Sequence, residues 1–81
     1  MQTDAFLMLD VHGKSAYQAK VAVDATLRRA GGAYEVRVIH GYNAGSAIRD
    51  MLRREYGSHP RVLSLEPGDN MGQTRLLLRR L

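Results

Sequence analysis

The chain opens on an apolar run, Phe6-Leu7-Met8-Leu9, that continues through Asp10 to Val11 and stops at Gly13. So short a stretch, apolar on successive positions and ended by glycine, predicts a buried strand over Phe6 to Val11. The period then changes. Ala16, Ala19, Val23, Leu27 and Ala30 recur at spacings of 3, 4, 4 and 3, which is one stripe of a helix. Ser15 precedes the stripe as its N-cap, and Gly31-Gly32 ends it with the left-handed backbone that a C-cap needs. Lys20, Asp24 and Arg28 follow one another at a spacing of 4 on another face.

From Tyr34 to Ile39 the valines Val36 and Val38 alternate with Glu35 and Arg37, the period of a second strand. The loop from His40 to Gly45 leads to a second helix over Ser46 to Tyr56. Ala47, Ile48, Met51, Leu52 and Tyr56 form its apolar face, and Arg49, Asp50, Arg53 and Arg54 its solvent face. Gly57 and Pro60 close it. Arg61 to Glu66 is a third strand, Pro67 to Asn70 a turn by composition, and Arg75 to Arg79 a fourth strand that completes a hairpin. The order is βαβαββ. Right-handed crossovers make the first three strands parallel and the hairpin makes the fourth antiparallel, a mixed four-stranded sheet. Two helices cover one sheet face, so the fold class is a two-layer α/β sandwich. With 81 residues and no linker or repeat, the expectation is one domain over 1–81.

Composition narrows the classes of function. At 44% apolar and 25% charged the chain is ordinary for a globular protein. It has no cysteine, which excludes disulfides, thiolate metal sites and a cysteine nucleophile. The longest apolar run, Ala5 to Leu9, is far below the roughly 20 residues of a membrane span. Residues 1–4 lack the basic start of a signal peptide, so the expected compartment is the cytoplasm. Lys and Arg number 12 against 8 Asp and Glu, a net charge of +4, and ten of the cations are Arg. The arginine fork suits phosphate, so a polyanionic partner stands beside the plain reading of a solvated basic surface.

Two strings carry candidate chemistry. Leu9-Asp10-Val11-His12-Gly13 lies at the carboxyl end of the first strand, where alternation places Asp10 and His12 on one face. Ile39-His40-Gly41-Tyr42-Asn43-Ala44-Gly45-Ser46 follows the second strand. Ligand sites of open α/β sheets gather at such strand ends. If the two strands are neighbours, Asp10, His12 and His40 meet at one rim, a carboxylate beside imidazoles suited to acid–base work. Each has a plainer role as a turn cap or a structural histidine. His59, beside Pro60, reads as a loop residue.

Free N–H groups at the start of the second helix favour phosphate, and Gly41, Tyr42, Asn43, Gly45 and Ser46 form the loop that would present them. An ordinary strand-to-helix turn explains the same spacing. There is no Gly-Lys-Ser/Thr ending and no three-glycine dinucleotide fingerprint. Arg49, Arg53 and Arg54 form a phosphate-contact face, or else a solvated face with Asp50 and Arg54 paired at i,i+4. Tyr42 is the aromatic residue of this loop, placed to stack on a base or to pack the loop.

Together these strings, separated by one helix and one strand, resemble the small MutS-related (Smr) domain. That family shows an LDxH motif on its first strand and an HGxG-type motif after its second. The likeness spans about residues 6 to 80 and includes His59-Pro60-Arg61-Val62. The second glycine of HGxG would fall at Asn43, with Gly45 two residues later. The resemblance implies a βαβαββ sandwich like the C-terminal domain of a translation initiation factor, and nucleic-acid binding. It also implies endonuclease activity in some members, and functional roles for Asp10, His12, His40 and Gly41.

The resulting expectation is a nucleic-acid-binding domain, RNA ahead of DNA, with an endonuclease reading. Asp10 would orient one imidazole, one histidine would take the 2′-hydroxyl proton, and the other would protonate the leaving oxygen. Arg49 and the helix N–H groups would stabilise the phosphorane charge. No resident cofactor is demanded. The alternative route uses Mg²⁺ or Mn²⁺ with Asp10 as oxygen ligand. Two further readings stay open: a non-catalytic adaptor for the ribosome or structured nucleic acid, and a homodimeric interaction module. Leu76-Leu77-Leu78, apolar toward both sides of the last strand, favours the dimer.

Overall fold

The computed structural model describes residues 6–42 and 46–80. Its elements are β1 (Phe6–Asp10), α1 (Ala16–Arg28), β2 (Glu35–Ile39), α2 (Ser46–Tyr56), β3 (Ser64–Pro67) and β4 (Gln73–Leu77). One mixed sheet has the order β1-β2-β4-β3. β1 and β2 are parallel, and β4 runs antiparallel to both β2 and β3. β3 thus shares the direction of β1 and β2, with β4 inserted between β2 and β3.

Leu7 and Leu9 of β1, Val36 and Val38 of β2 and Leu76 of β4 meet Val23 and Leu27 of α1 and Ile48, Met51, Leu52 and Tyr56 of α2 in one core. Both helices therefore lie on one face. The other face carries Phe6, Met8 and Asp10, then Glu35, Arg37 and Ile39, then Gln73, Arg75 and Leu77, as the strand register requires. At its centre Glu35 is buried and accepts two hydrogen bonds from Arg75, at 3.1 and 3.0 Å, and one from Arg37 at 2.9 Å. Burial raises the Glu35 pKa, but the two guanidiniums outweigh it and hold the carboxyl below its ordinary 4.5.

The ends of elements follow local chemistry. Ser15 caps α1 in a capping box: its Oγ accepts from Gln18 N–H at 3.1 Å, and Gln18 Oε1 accepts from Ser15 N–H at 3.0 Å. α1 stops at Arg28, ahead of the predicted Ala30, and Gly31 takes φ +60° in the turn that follows. Lys20 and Asp24 pair at 2.9 Å, and the Tyr56 hydroxyl donates to the same Asp24 at 2.5 Å, tying α2 to α1.

All four strands differ in their bounds from the sequence pattern, β2 only by starting at Glu35 in place of Tyr34. β1 ends at Asp10 because the chain turns immediately after it. β3 begins at Ser64, three residues later than expected, because Val62 N–H is drawn into a turn by the His59 carbonyl at 3.0 Å while the Val62 side chain enters the core. β4 begins at Gln73 because the hairpin closes through Gly68 N–H to the Gln73 carbonyl, leaving Gly68 to Gly72 as the loop. His59 is more than a loop residue. Its Nδ1 accepts from Arg61 N–H at 3.1 Å, and its ring lies 5.3 Å from that of Tyr56.

Candidate nucleic-acid interface

β1 and β2 lie side by side with Asp10 opposite Ile39, so both sequence strings leave the sheet at the same rim. Val11 N–H donates to the Ile39 carbonyl at 2.9 Å and prolongs that alignment by one residue. The chain then reverses: Lys14 N–H donates to the Val11 carbonyl at 3.1 Å, and Gly13 sits at φ +80°. A glycine at the third position with positive φ is the signature of a type II turn, and His12 occupies the corner before it.

Asp10 holds that corner. Its Oδ1 accepts from the His12 backbone N–H at 3.1 Å and lies 2.5 Å from His12 Nδ1. The pairing comes from a turn and not from the face-sharing of a longer strand, because β1 has already ended. Hydrogen bonds from the His12 ring and backbone, outweighing a slight burial effect, hold the Asp10 pKa below its ordinary 3.8. A carboxylate that only accepts fixes the proton on Nδ1 and leaves the Nε2 lone pair outward. Both side chains are open to solvent, His12 at 71% and Asp10 at 53%. Lys14, close enough to act on the Asp10 charge, brings a cation to the same turn.

His40 departs from the expected rim trio. It is 3% exposed, and both ring nitrogens are engaged. Nδ1 lies 3.0 Å from the Gly41 carbonyl and Nε2 lies 2.9 Å from Thr74 Oγ1. A carbonyl only accepts, so Nδ1 carries a proton, and Nε2 is paired with the Thr74 hydroxyl. His40 therefore has no nitrogen free for a substrate. It fixes the loop instead. The Gly72 carbonyl adds two bonds, accepting from His40 N–H at 2.9 Å and Gly41 N–H at 3.0 Å. Gly41 itself adopts φ +82°, and a side chain there would approach His12 Cβ to 3.8 Å. The glycine of the second string thus lies against the histidine of the first.

The remaining predicted residues divide. Tyr42 is exposed, at 64%. Ser46 begins α2 and is exposed; Asn43 and Gly45 lie outside the described residues. Arg53 and Arg54 are exposed, and Arg54 reaches Glu55 at 3.4 Å in place of the expected Asp50. Arg49 is not on the solvent face. It is half-buried, and its Nε is enclosed with no hydrogen-bond partner among the described residues. It turns toward the β3–β4 loop because that loop and α2 flank a groove of about 480 Å³. Lys14, Gly72 and Thr74 are site residues that sequence reasoning missed. Lys14 directly follows the first string and was legible there. Gly72 and Thr74 lie far along the chain and reach the rim only through the antiparallel return of β4.

Among the described residues no group of three His, Asp or Glu side chains gathers to hold a metal ion. Asp10 and His12 supply two donors. Mg²⁺ or Mn²⁺ held by them would take substrate oxygens and water into its shell. No helix among the described residues is long and apolar enough to cross a membrane.

Against known proteins, the Smr domain family matches residues 9–77. The chain belongs to the Smr domain family. The crystal structure of the Smr domain of Thermus thermophilus MutS2 is similar throughout: TM-score 0.80 and 29% identity over 91% of this chain and 99% of that one. A search of curated proteins finds no match. Smr domains are nucleic-acid-binding, nuclease-like domains. In this Smr domain the two motif strings form the rim, with Asp10 and His12 exposed on one side and His40 holding Gly41 beside them from below.

Proposed function

We propose that this Smr domain binds single-stranded RNA across the β1–β2 rim and cleaves it, with His12 as general base and Asp10 as its positioning partner. The observation that carries the reading is the exposed Asp10–His12 pair, 2.5 Å apart, with His12 Nε2 outward at the carboxyl ends of two parallel strands. His12 Nε2 takes the proton of a ribose 2′-hydroxyl. The 2′-oxygen attacks the adjacent phosphorus, the bond to the 5′-oxygen breaks, and the leaving oxygen takes a proton from water, whose hydroxide recovers the proton held by His12. The products are a 2′,3′-cyclic phosphate and a 5′-hydroxyl end. Lys14 and the N–H groups at the start of α2 offset the charge that builds on the phosphate. His40 positions Gly41 and carries no proton in this scheme.

A cleavage panel over single- and double-stranded RNA and DNA, with and without EDTA, tests it. Single-stranded RNA should be cut in EDTA to a cyclic phosphate, and His12→Ala should lose about 10²–10⁴-fold in rate with binding retained. DNA, lacking the 2′-hydroxyl, should bind and stay intact. Cleavage of DNA, or loss of all activity in EDTA, would contradict the mechanism. Binding without cleavage of any substrate would leave an adaptor that uses the same rim.

A further inference from the structure

We infer that the groove between α2 and the β3–β4 loop holds one unstacked nucleotide of a bound single strand, its base against Leu65, Pro67 and Met71 and its phosphate toward Arg49 and Arg53. The inference rests on the rim being a nucleic-acid site and names the form of nucleic acid it takes. The groove adjoins the rim. Thr74, whose hydroxyl meets His40, lines it, and so do Met71 and Gln73 on either side of Gly72, whose carbonyl anchors the rim loop. A strand lying on the rim meets this groove next.

The groove's chemistry fits that occupant. Its volume, about 480 Å³, is in the range of small-molecule sites. Its lining combines apolar side chains for a base with two arginines for a phosphate. Met71 is 73% exposed, so its thioether is open to a base lying in the groove. Thioether sulfur and guanidinium faces both stack on aromatic rings, which compensates for the absence of an aromatic lining residue. Arg49 Nε, enclosed without a protein acceptor among the described residues, gains one when the side chain turns outward to a phosphate oxygen. Asn70 Oδ1 already accepts from Gly72 N–H at 2.8 Å, and Gln73 Oε1 accepts from Asp69 N–H at 3.3 Å. Their amide NH₂ groups have no acceptor among the described residues, so a base edge rich in acceptors suits the site. Glu66, the carboxylate of the lining, accepts from the Ser64 hydroxyl at 3.4 Å. A base stacked inside a duplex cannot enter such a groove, which selects single strands.

The test uses single-stranded RNA and DNA of one sequence, with 2-aminopurine placed at successive positions, read by fluorescence and anisotropy together. Binding should raise the fluorescence at one position in both sugars, since unstacking relieves quenching. Met71→Ala should remove that rise and weaken binding about three- to tenfold, the worth of a sulfur–ring contact. Tyr17→Ala, on the exposed side of α1, should keep both. Tight binding with no rise at any position, or an unchanged Met71→Ala, would overturn the groove while leaving the rim reading intact. Failure of every oligonucleotide to bind would overturn both. Should Met71→Ala abolish self-association in light scattering without altering oligonucleotide binding, the groove would belong to a second copy of the chain, and the inference would fail.

Discussion

Thr74→Val separates a structural His40 from a catalytic one. Valine has the shape of threonine and suits a strand, so the substitution removes one hydroxyl from β4 and little else. That hydroxyl is the partner of His40 Nε2 at 2.9 Å, and both residues are buried, Thr74 at 8% and His40 at 3% exposure. Water has no ready access to the vacated nitrogen. A buried polar nitrogen left without a partner costs about 1–3 kcal/mol. In a domain of this size each kcal/mol moves the melting temperature by roughly 4–8 °C, so Thr74→Val should melt roughly 5–20 °C below the parent. Thr74→Ser keeps the hydroxyl and should recover most of that loss. The assay is thermal unfolding by circular dichroism, with cleavage measured well below the lower midpoint. If His40 works only by fixing the Gly41 loop, the valine variant should retain most of its activity wherever it is folded. An unchanged melting temperature would refute the hydrogen-bond assignment. An unchanged melting temperature with lost cleavage would return His40 to the chemistry.

Glu35→Gln should cost about 2–3 kcal/mol in denaturant unfolding, less than the 3–5 kcal/mol of a fully enclosed pair because Arg75 and Arg37 retain some solvent contact. The folded Glu35 pKa lies below its ordinary 4.5, so its contribution is present above that value and disappears as pH falls through the folded pKa. Stability of the parent should therefore decline below about pH 4.5, and Glu35→Gln should decline less steeply there. Gly72→Ala would place a Cβ 3.3 Å from the Gly41 backbone. Backbone gives way poorly, so an overpacking cost of about 1–3 kcal/mol should appear together with altered amide shifts at His40 and Gly41. The double change Arg53→Ala with Arg54→Ala should weaken oligonucleotide binding, measured by titration at several salt concentrations. Its log–log salt dependence should flatten by about 0.7 for each phosphate that the arginines no longer neutralise.

Much of the architecture was legible because each element carried its own period. The 3- and 4-residue spacing from Ala16 to Leu27, with Ser15 before it, specifies α1 and its cap without reference to the rest of the chain. α2 matched its predicted bounds for the same reason. The position of β4 was harder to read. Leu76-Leu77-Leu78, apolar toward both sides in the sequence, closes a central strand, with Leu77 on the face that the helices leave open. Leu76 is fully buried opposite Val36, and Leu78 packs on the core from the strand's end. At the site, the motif strings placed Asp10, His12 and His40 at neighbouring strand ends, and the register agrees. What they could not convey is that His40 faces inward. That depends on Thr74, 34 positions away, offering a hydroxyl at the right point of β4. Arg49 was misplaced on similar grounds: its helical face looks solvent-exposed until the β3–β4 loop folds beside it.

The most direct test of the central claim is the pH dependence of RNA cleavage by the parent and by Asp10→Asn. If His12 is the base and Asp10 fixes its tautomer, the parent rate should rise with pH as the imidazole loses its proton and then level off, giving a single limb with no second histidine limb. Asp10→Asn, with its fold intact, should fall by at least about tenfold on the plateau, because the amide no longer enforces a proton on Nδ1. A flat profile, or an Asp10→Asn variant as active as its parent, would contradict the Asp10–His12 account.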